Sequence, residues 1–484
     1  MSNIPEKWLH PALFINGKFQ EAKNGRRYSV TNPANGEVVG SAPSASPEDA
    51  EAAIHAAYRA FKPWAGLAAP ERAQILRKFY EEIVAHQEDL AQLITAEEGK
   101  PLSEARGEAA IGAEYVAWYA EEARRVYGET VPGVSASQRI LVLRQPVGVV
   151  GAITPWNFPV SMVTRKMAPA LAAGCSVVLK PAEKTPLCAL ALADLGERAG
   201  LPPGVFNVIT AEDPEPLGRV LLDDPRVRKL SFTGSTEVGK YLIRESAAQV
   251  KKLSMELGGN APTLVFADAD IDVAVAGVIA SKFRNAGQTC ICLNRVLVEA
   301  SILGEFGRRL AAAVSQLQVG DGTKPGIDVG PLINAEGLAK VQSQVDDAVG
   351  YGAILACGGK RIGDQRGHFY APTVLLNVTP QMAIMHEETF GPVAPVIGFH
   401  DEAEAISMAN DTVYGLASYV FTQDIARVFR VSEQLEYGIV GVNDPVPTVV
   451  QAPFGGVKES GFGREGGHWG MDPFLETKYV SIRI

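Results

Sequence analysis

The sequence is poor in cysteine and contains no long apolar segment. Five cysteines stand among 484 residues, and so small and odd a number makes a poor disulfide framework. No uninterrupted run of about 18 apolar residues occurs. The N-terminal "MSNIPEKWLHPALFINGKF" also lacks an apolar core followed by a small-residue cleavage site. We therefore expect a cytoplasmic protein that neither spans a membrane nor is exported.

Positive charge is also scarce. The formal net charge is -10, and no block of Lys or Arg offsets it, so the chain offers no general attraction to nucleic acid or to anionic lipid. We therefore expect a small-molecule partner, and an anionic one would need cations that are placed locally in its site.

The order of predicted elements indicates two α/β domains. No repeat of fixed period and no low-complexity tract divides the chain, which is longer than one hydrophobic core usually supports. A helix is predicted from Ser46, with Pro47 at its first position, and more helix from about 70 to 125. Helical segments then alternate with the candidate strands "GVVGAIT", "CSVVLK", "VFNVIT", "VRKLSFTG" and "KKLSMELGG".

Strands that are buried on both faces and joined by helices predict a parallel sheet. A second alternating region, about 260–443, contains the candidate strands "RVLVE" and "ASYVFT". The segments "VPGVSASQRILVLRQP" and "LETKYVSIRI" predict strands outside both regions, and exposed strand edges of this kind often pair with another chain.

Two cysteines stand one residue apart in "RNAGQTCICLNR". The small, polar neighbours of Cys290 would let backbone amides approach a thiolate there, whereas a free cysteine is more often a small buried apolar residue. No histidine lies in a signature typical of a Cys/His protease. The C-x-C spacing lacks a second Cys or His pair, so we expect no metal.

Two further segments follow predicted strands. "SFTGSTEVGK" would open a helix whose N-terminal amides can face a phosphate, although it is not a standard G-x-G-x-x-G. "LKPAEKTP" offers Lys180 and Glu183 as partners for sugar hydroxyls. Each segment alone is more typical of a surface turn.

Together with "MELGGNAP", "ITPWNFP", "HEETFGPV" and "APFGGVKESGFGREGG", these motifs resemble the aldehyde dehydrogenase superfamily, in the same order and over nearly the whole chain. The resemblance implies an α/β fold with a Rossmann-type cofactor domain, an α/β catalytic domain and a small β flap for oligomerisation. The implied bounds are 1–127 and 147–256 for the cofactor domain, 257–466 for the catalytic domain, and 128–146 and 467–484 for the oligomerisation strands. It also implies a homo-dimer or homo-tetramer.

The resemblance assigns the chemistry to three residues. Cys290 is implied as the nucleophile that forms a thiohemiacetal and then a thioester with an aldehyde. Asn157 is implied as an oxyanion donor together with the Cys290 N–H. Glu256 is implied as the general base for hydrolysis, which requires partial burial to raise its pKa; its plainer alternative is a salt bridge at a strand end.

The implied cofactor is NAD, with NADP left open. A carboxylate that binds the adenosine ribose repels a 2′-phosphate, so Glu183 favours NAD, while the nearby Lys180 softens that preference. The residues implied to bind the cofactor are Thr154, Pro155, Trp156, Lys180, Glu183, Gly234, Ser235, Glu388 and Phe390.

The substrate is implied by a narrower resemblance to succinate-semialdehyde dehydrogenases. Arg165 and Arg284 match the arginines that bind the distal carboxylate in that subfamily, and Thr448 stands where the subfamily has a serine. Structural ion pairs are the alternative for both arginines. The segment "NDPVPTVVQ" departs from the subfamily and resembles ketoglutarate-semialdehyde dehydrogenases, so glutarate, 2-oxoglutarate and hydroxylated semialdehydes stay open, as does a broad aldehyde specificity.

Other classes are weighed against this prediction. A coenzyme-A-acylating enzyme would use the same cysteine, but Glu256 favours hydrolysis. A non-catalytic scaffold would be expected to have lost Cys290, Glu256 or Asn157, and all three are present. Cys292 is predicted to be a packed side chain, with a reversible disulfide to Cys290 as the alternative.

Overall fold

The computed structural model describes residues 4–363 and 366–484. The α-helices of this part are α1 (Glu6–Leu9), α2 (Pro47–Ala65), α3 (Ala69–Ala85), α4 (Gln87–Glu98), α5 (Leu102–Glu122), α6 (Ser161–Ala173), α7 (Leu187–Arg198), α8 (Glu215–Asp223), α9 (Thr236–Ser246), α10 (Ile271–Lys282), α11 (Leu303–Val314), α12 (Ala335–Gly350), α13 (Glu402–Asn410) and α14 (Ile425–Gln434). Short 3₁₀ helices span Ala123–Arg125, Ala247–Gln249, Arg284–Gly287, Ala383–Met385, Lys458–Ser460 and His468–Phe474.

The strands are β1 (Leu13–Ile15), β2 (Lys18–Gln20), β3 (Arg27–Thr31), β4 (Val38–Pro43), β5 (Glu129–Pro132), β6 (Gln138–Pro146), β7 (Val149–Ile153), β8 (Ser176–Lys180), β9 (Phe206–Val208), β10 (Val227–Thr233), β11 (Lys252–Glu256), β12 (Ala261–Val265), β13 (Leu293–Glu299), β14 (Ile354–Cys357), β15 (Arg361–Ile362), β16 (Phe369–Tyr370), β17 (Thr373–Leu376), β18 (Val393–Phe399), β19 (Ala417–Phe421), β20 (Ile439–Val442), β21 (Gly461–Phe462) and β22 (Leu475–Arg483).

The first long helix begins where the sequence predicts. Ser46 precedes α2 in an extended conformation, and Pro47 is its first residue. The Asp49 carboxylate accepts hydrogen bonds from the Ser46 backbone N–H at 2.9 Å and from the Ser46 hydroxyl at 3.1 Å. This reciprocal cap satisfies a polar group that a helix start would otherwise bury without a partner.

The first sheet contains the five strands predicted from the β-branched segments. Its order is β2-β1-β9-β8-β7-β10-β11-β21, and the run from β9 to β11 is parallel. In register, Lys180 lies beside Ile153, Ile153 beside Phe232, and Thr233 beside Glu256. The carboxyl ends of β8, β7, β10 and β11 therefore lie in a row, which is the edge where open α/β sheets bind ligands.

The second sheet has the order β14-β17-β18-β13-β12-β19-β20, and only β14 runs antiparallel to its neighbour. Each main sheet has its own buried apolar core. The chain passes from β11 of the first sheet to β12 of the second through residues 257–260. The loop between α10 and β13, which holds the two neighbouring cysteines, thereby faces the end of the first sheet.

The third sheet is separate, with the order β22-β6-β5. β22 pairs with β6 over nine positions, from Leu475 opposite Pro146 to Arg483 opposite Gln138. Apolar side chains on it are open to solvent, among them Val134 in the β5–β6 turn region at 92% exposure and Tyr479 at 60%. These strands are the two segments that the sequence sets apart from both α/β regions.

One strand lies elsewhere than the implied domain bounds suggest. β21 pairs with Met255 and Glu256 in the first sheet, although the bounds 257–466 place it with the second. No helix within residues 4–363 and 366–484 combines the length and apolar character needed to cross a bilayer.

The exposed third sheet predicts self-association. Tyr479 and Ile482 of β22 are 60% and 39% exposed, so their replacement by aspartate should leave the fold intact but prevent an apolar sheet edge from pairing with a second copy. Sedimentation velocity should show an oligomer for the wild type and a smaller species for the double variant. Tyr351→Asp, at a 63% exposed tyrosine outside this sheet, is the matched control. A wild-type monomer would contradict the prediction.

Candidate active site

The loop before Cys290 contains three consecutive residues in the left-handed region. Asn285, Ala286 and Gly287 have φ of 50°, 53° and 74°, a conformation that costs a non-glycine residue such as Ala286 about 1–2 kcal/mol. A Cβ on Gly287 would lie 2.2 Å from the Gly391 carbonyl oxygen, so only glycine fits there. The turn directs the following residues, including Cys290, toward the edge of the first sheet.

Gln288 fastens this loop to the catalytic domain. Its side-chain nitrogen donates to the carbonyls of Asn285 at 3.1 Å and Pro331 at 3.3 Å. Its side-chain oxygen accepts from the Ile333 N–H at 2.8 Å. These bonds hold the strained turn in one conformation, because each of its neighbours is tied down independently.

Asn157 is tethered to the same loop from the first domain. Its Nδ2 donates to the Gln288 carbonyl at 2.9 Å, two residues before Cys290. Its own carbonyl accepts from Lys100 Nζ at 2.6 Å and from Asn285 Nδ2 at 3.0 Å. The amide has a second N–H, and Asn157 lines the same cavity as Cys290; its role as an oxyanion donor stays a prediction.

A buried ion pair supports Asn157. The Lys100 and Glu108 side chains are almost wholly buried and meet at 2.6 Å. The other Glu108 oxygen accepts from the Val160 N–H at 2.9 Å, at the start of α6. Breaking such a pair on one side typically costs about 3–5 kcal/mol. No local pattern in "EEGKP" marks Lys100, so its contact with Asn157 is not predictable from the sequence.

Glu256 is buried at the end of β11 with 3% exposure. Neither carboxylate oxygen has a hydrogen-bond partner among the described residues. Burial, and next the charge of Glu465, raise the pKa of Glu256 well above its usual range, while Lys166 and Arg165 oppose that shift. An unpaired, buried carboxylate of raised pKa is what a general base requires.

Glu465 is the carboxylate beside Glu256 that stays ionised. It pairs with Lys166 at 2.6 Å and with Arg165 at 3.2 Å. Although burial acts to raise the pKa of Glu465, these two cations lower it below its usual range. One carboxylate of the pair is therefore held ionised and the other is disposed to carry a proton.

Cys290 is half-buried and lines two cavities. Burial raises the pKa of its thiol to about 12; Arg165 acts to lower it, while Glu388 and Glu256 act to raise it further. The thiol is thus protonated at neutral pH, so a base must take its proton for it to become a nucleophile.

A cavity of about 770 Å³ opens at the carboxyl edge of the first sheet. It is lined by the predicted residues Thr154, Pro155, Trp156, Lys180, Glu183, Gly234 and Ser235. Ser235 caps α9 and accepts from the Val238 N–H at 3.3 Å. A Cβ at position 234 would lie 2.4 Å from the Phe232 ring, so glycine keeps the helix N-terminus open to a phosphate.

A second cavity, of about 280 Å³, joins this one to Cys290, because Trp156, Gly234 and Ser235 line both. Glu388 and Phe390 lie here, and the Phe390 ring meets Trp156 edge-on at 5.5 Å between centroids. The two connected cavities, with a helix N-terminus in one and aromatic rings in the other, fit a dinucleotide.

The Glu388 carboxylate accepts from the Gly259 N–H at 3.0 Å. Burial raises its pKa to about 7, and the Gly259 N–H acts against that shift. Lys340 of α12 also lines this cavity. Lys340 is not predictable from the sequence as part of this cavity, because nothing distinguishes it from other exposed lysines on helices.

A third cavity, of about 80 Å³, lies on the other side of Cys290 and holds Arg165, Arg284 and Thr448 together. Arg165 is 3% exposed, and its guanidinium lies 3.9 Å from the centre of the Phe454 ring. The ion-pair alternative holds for Arg165, which pairs with Glu465. Within residues 4–363 and 366–484, Arg284 makes neither an ion pair nor a hydrogen bond, and its guanidinium lies 5.5 Å from the Phe158 ring.

Cys292 faces away from these cavities. Its Sγ donates to the Gly287 carbonyl at 3.2 Å and lies 3.7 Å from Lys282 Nζ, with 1% of the residue exposed. The structure thus shows a packed side chain that braces the left-handed turn; the disulfide with Cys290 stays a prediction. The described residues contain no cluster of His, Cys, Asp or Glu that could hold a metal ion.

Comparison with known proteins identifies the family. The profile of the aldehyde dehydrogenase family matches residues 19–480, so the chain belongs to that family. It is accordingly an NAD(P)-dependent oxidoreductase that acts on aldehydes. The crystal structure of succinate-semialdehyde dehydrogenase from Burkholderia pseudomallei has 50% sequence identity and a TM-score of 0.97, with 99% of each chain covered, which confirms the predicted fold.

Two curated relatives differ in substrate. Succinate-semialdehyde dehydrogenase [NADP(+)] GabD of Escherichia coli strain K12 is 52% identical, with 97% of each chain covered. The 3-sulfolactaldehyde dehydrogenase of Pseudomonas putida is 54% identical, covering 98% of this chain and 97% of its own. The predicted likeness to succinate-semialdehyde dehydrogenases is confirmed. The names of the two relatives show that proteins this similar to the chain act on different anionic aldehydes.

The coupled carboxylates predict a shift in pH dependence. In Glu465→Gln the negative charge that raises the pKa of Glu256 is removed, and Lys166 and Arg165 lose the anion that offsets them. Both effects favour ionised Glu256, so the acid limb of kcat should move to lower pH, as measured in a pH–rate profile. Glu433→Gln, at an exposed glutamate, is the control. An unchanged limb, or one at higher pH, would show that this coupling does not govern the base.

Proposed function

We propose that this protein oxidises a small aldehyde that carries a distal anionic group, with succinate semialdehyde as the favoured substrate, to the corresponding acid. One observation carries the proposal: Cys290 lies between a cavity that fits a dinucleotide and a small cavity where Arg284 forms no ion pair with any described residue, although the charge of Glu104 acts on it from further away. A buried or half-buried cation without a partner is costly, and an anionic substrate would supply that partner.

Cys290 is the proposed nucleophile and Glu256 the proposed base. Since burial holds the thiol protonated, Glu256 must be in its ionised form to take the proton as Sγ attacks the aldehyde carbon. The oxyanion of the thiohemiacetal then receives hydrogen bonds from Asn157 Nδ2 and the Cys290 N–H. The contacts of Asn157 with Lys100, Asn285 and Gln288 support this role, because they position the donor before the substrate arrives.

A bound nicotinamide dinucleotide supplies the hydride acceptor. Trp156 and Phe390 would enclose the nicotinamide, Glu388 its ribose, and Ser235 at the α9 N-terminus the pyrophosphate. Once Glu256 has released its first proton to solvent, it removes a proton from the water that attacks the Cys290 thioester and returns it to the departing thiolate, which releases the acid and the free thiol. The overall balance consumes one aldehyde, one water and one oxidised cofactor. The unpaired carboxylate of Glu256 supports hydrolysis over transfer to coenzyme A.

The substrate subsite is proposed to comprise Arg284, Arg165 and Thr448. Arg165 is partly neutralised by Glu465, so Arg284 is the principal anchor for the anion. The volume of about 80 Å³ supports a short chain between aldehyde and anion. Glutarate and 2-oxoglutarate semialdehydes are the longer alternatives, and the Pseudomonas putida relative adds 3-sulfolactaldehyde.

A kinetic panel tests the anion anchor. The kcat/KM of the wild type should be far higher for succinate semialdehyde than for butanal. Comparing it with the kcat/KM for glutarate semialdehyde and 3-sulfolactaldehyde shows which anionic aldehyde is the best substrate. Arg284→Ala should lower kcat/KM for the anionic aldehydes relative to that for butanal. The loss should correspond to about 2–5 kcal/mol of transition-state binding, because the substrate anion is left buried and unpaired. Arg308→Ala, at an exposed arginine, is the control.

Equal kcat/KM for butanal and the anionic aldehydes would contradict the proposed substrate class. Formation of product only when coenzyme A is added would contradict hydrolysis. A broad-specificity enzyme would show no change of the ratio in Arg284→Ala.

NAD is proposed as the preferred cofactor, with NADP as an alternative. Three carboxylates, those of Glu183, Glu215 and Glu237, line the dinucleotide cavity beside the single ammonium of Lys180, which lies 4.0 Å from Glu183. This excess of negative charge opposes a 2′-phosphate. The Escherichia coli relative is named for NADP(+). The preference for NAD is therefore proposed from the residues of this chain and not from that relative.

Neutralising the carboxylate should relax that preference. Glu183→Gln keeps the shape but removes the charge, so the ratio of kcat/KM for NADP to that for NAD should rise by about tenfold or more. Absorbance at 340 nm with each cofactor measures it. Glu212→Gln, at an exposed glutamate outside the cavity, should leave the ratio unchanged. A ratio that stays the same in Glu183→Gln would remove Glu183 as the discriminating residue.

The five cysteines are free thiols, which supports the proposed cytoplasmic location. The exposed third sheet supports a homo-dimer or homo-tetramer. A Cys290–Cys292 disulfide is proposed only for oxidising conditions, because Cys292 is engaged with Gly287 and Lys282 in the reduced protein.

A further inference from the structure

Tyr115 has a buried hydroxyl that no contact in the protein explains. It lies on α5 with 1% exposure and lines the third cavity together with Cys290 and Arg284. Its oxygen makes no hydrogen bond within residues 4–363 and 366–484. Leaving a buried polar group unsatisfied costs about 1–3 kcal/mol, so this hydroxyl is open to a partner that enters the cavity, whereas the equally unbonded hydroxyl of Tyr119 does not line it.

The surroundings of Tyr115 indicate what such a ligand offers. The Arg165 guanidinium lies 5.4 Å from the centre of its ring, and Arg165 Nη2 likewise has no hydrogen-bond partner. The Tyr115 oxygen could accept an N–H from Arg165, but neither Tyr115 Oη nor Arg165 Nη2 makes a hydrogen bond within the described residues. Both lie in a cavity that also contains Arg284, and an anion has enough lone pairs to accept hydrogen bonds from all three side chains.

The hydroxyl is suited to donate. Burial raises the pKa of Tyr115, so the phenol stays neutral at physiological pH and keeps its proton. A hydrogen bond from a neutral donor to a charged acceptor is among the stronger ones in proteins. Water competes poorly for the acceptor in so small a cavity.

We propose that Tyr115 is a specificity-determining residue whose hydroxyl donates a hydrogen bond to the distal anion of the substrate, beside Arg165. This inference rests on the proposed function, since it assumes that the third cavity receives an anionic aldehyde. It adds a donor that lies on a helix of the first domain, so residues from both domains hold the same anion.

Tyr115→Phe tests the hydroxyl alone, because the ring and its contact with Arg165 are retained. The ratio of kcat/KM for succinate semialdehyde to that for butanal should fall by about tenfold or more, the amount expected for a hydrogen bond to a charged group. Tyr119→Phe is the matched control: Tyr119 is buried one helical turn further along α5 and does not line the cavity. Its ratio should equal that of the wild type.

A second readout keeps this inference separate from the proposed substrate. Butyrate, an anion without an aldehyde, should compete with butanal, and Tyr115→Phe should raise its inhibition constant by about tenfold. An unchanged inhibition constant and ratio, or equal losses in Tyr119→Phe, would overturn the role of Tyr115. A wild type that shows no preference for anionic aldehydes, with butyrate inhibition still weakened in Tyr115→Phe, would overturn the substrate proposal and leave Tyr115 as an anion-binding residue.

Discussion

The Lys100 ammonium, buried and shared between the Glu108 carboxylate and the Asn157 carbonyl, is the contact on which the site depends. It fixes the backbone of Asn157, whose side chain holds the Gln288 carbonyl in the other domain. Asn285 closes the network from the opposite side. Left-handed backbone at three consecutive positions would relax without such support, and Cys290 would lose its place between the cavities.

Burial then sets the electrostatics of the chemistry. Cys290, Glu256 and Glu388 all lie in low-dielectric surroundings, and burial is the largest cause of the raised pKa of each. Lys166 and Arg165 form ion pairs with Glu465 and not with Glu256. The proposed nucleophile and the proposed base are therefore both disposed to carry a proton, so Glu256 must lose its own before it can accept that of Cys290, while a neighbouring carboxylate remains ionised.

Much of the fold follows from the sequence because the signals are local. β-Branched segments become the central strands of the first sheet, and Ser46 with Pro47 starts α2. β12 and β18 carry Pro262 and Pro395, which weaken the strand pattern, and their identification requires the partner strands. β21 has only two residues and is defined by its pairing with β11.

The residues of the candidate site also fall into those that the sequence predicts and those that only the structure reveals. The predicted residues lie in family motifs, and the three cavities bring them together, except that Glu256 and Cys292 line none of them. Lys100, Lys340 and Tyr115 escape prediction, because their roles arise from a buried partner, a cavity wall and an unsatisfied hydroxyl that exist only once distant segments meet.

Trapping the covalent intermediate tests the central claim, that Cys290 carries the substrate and Glu256 releases it. Glu256→Gln, mixed with succinate semialdehyde and oxidised cofactor and quenched in acid, should form an acyl group more slowly than the wild type, because the thiol lacks its base, but should retain it, because the water lacks its base as well. Mass spectrometry should find the acyl group on the peptide that contains Cys290. Cys290→Ala treated alike should carry none. Formation of the acid by Cys290→Ala, or an acyl group located on another cysteine, would contradict the account.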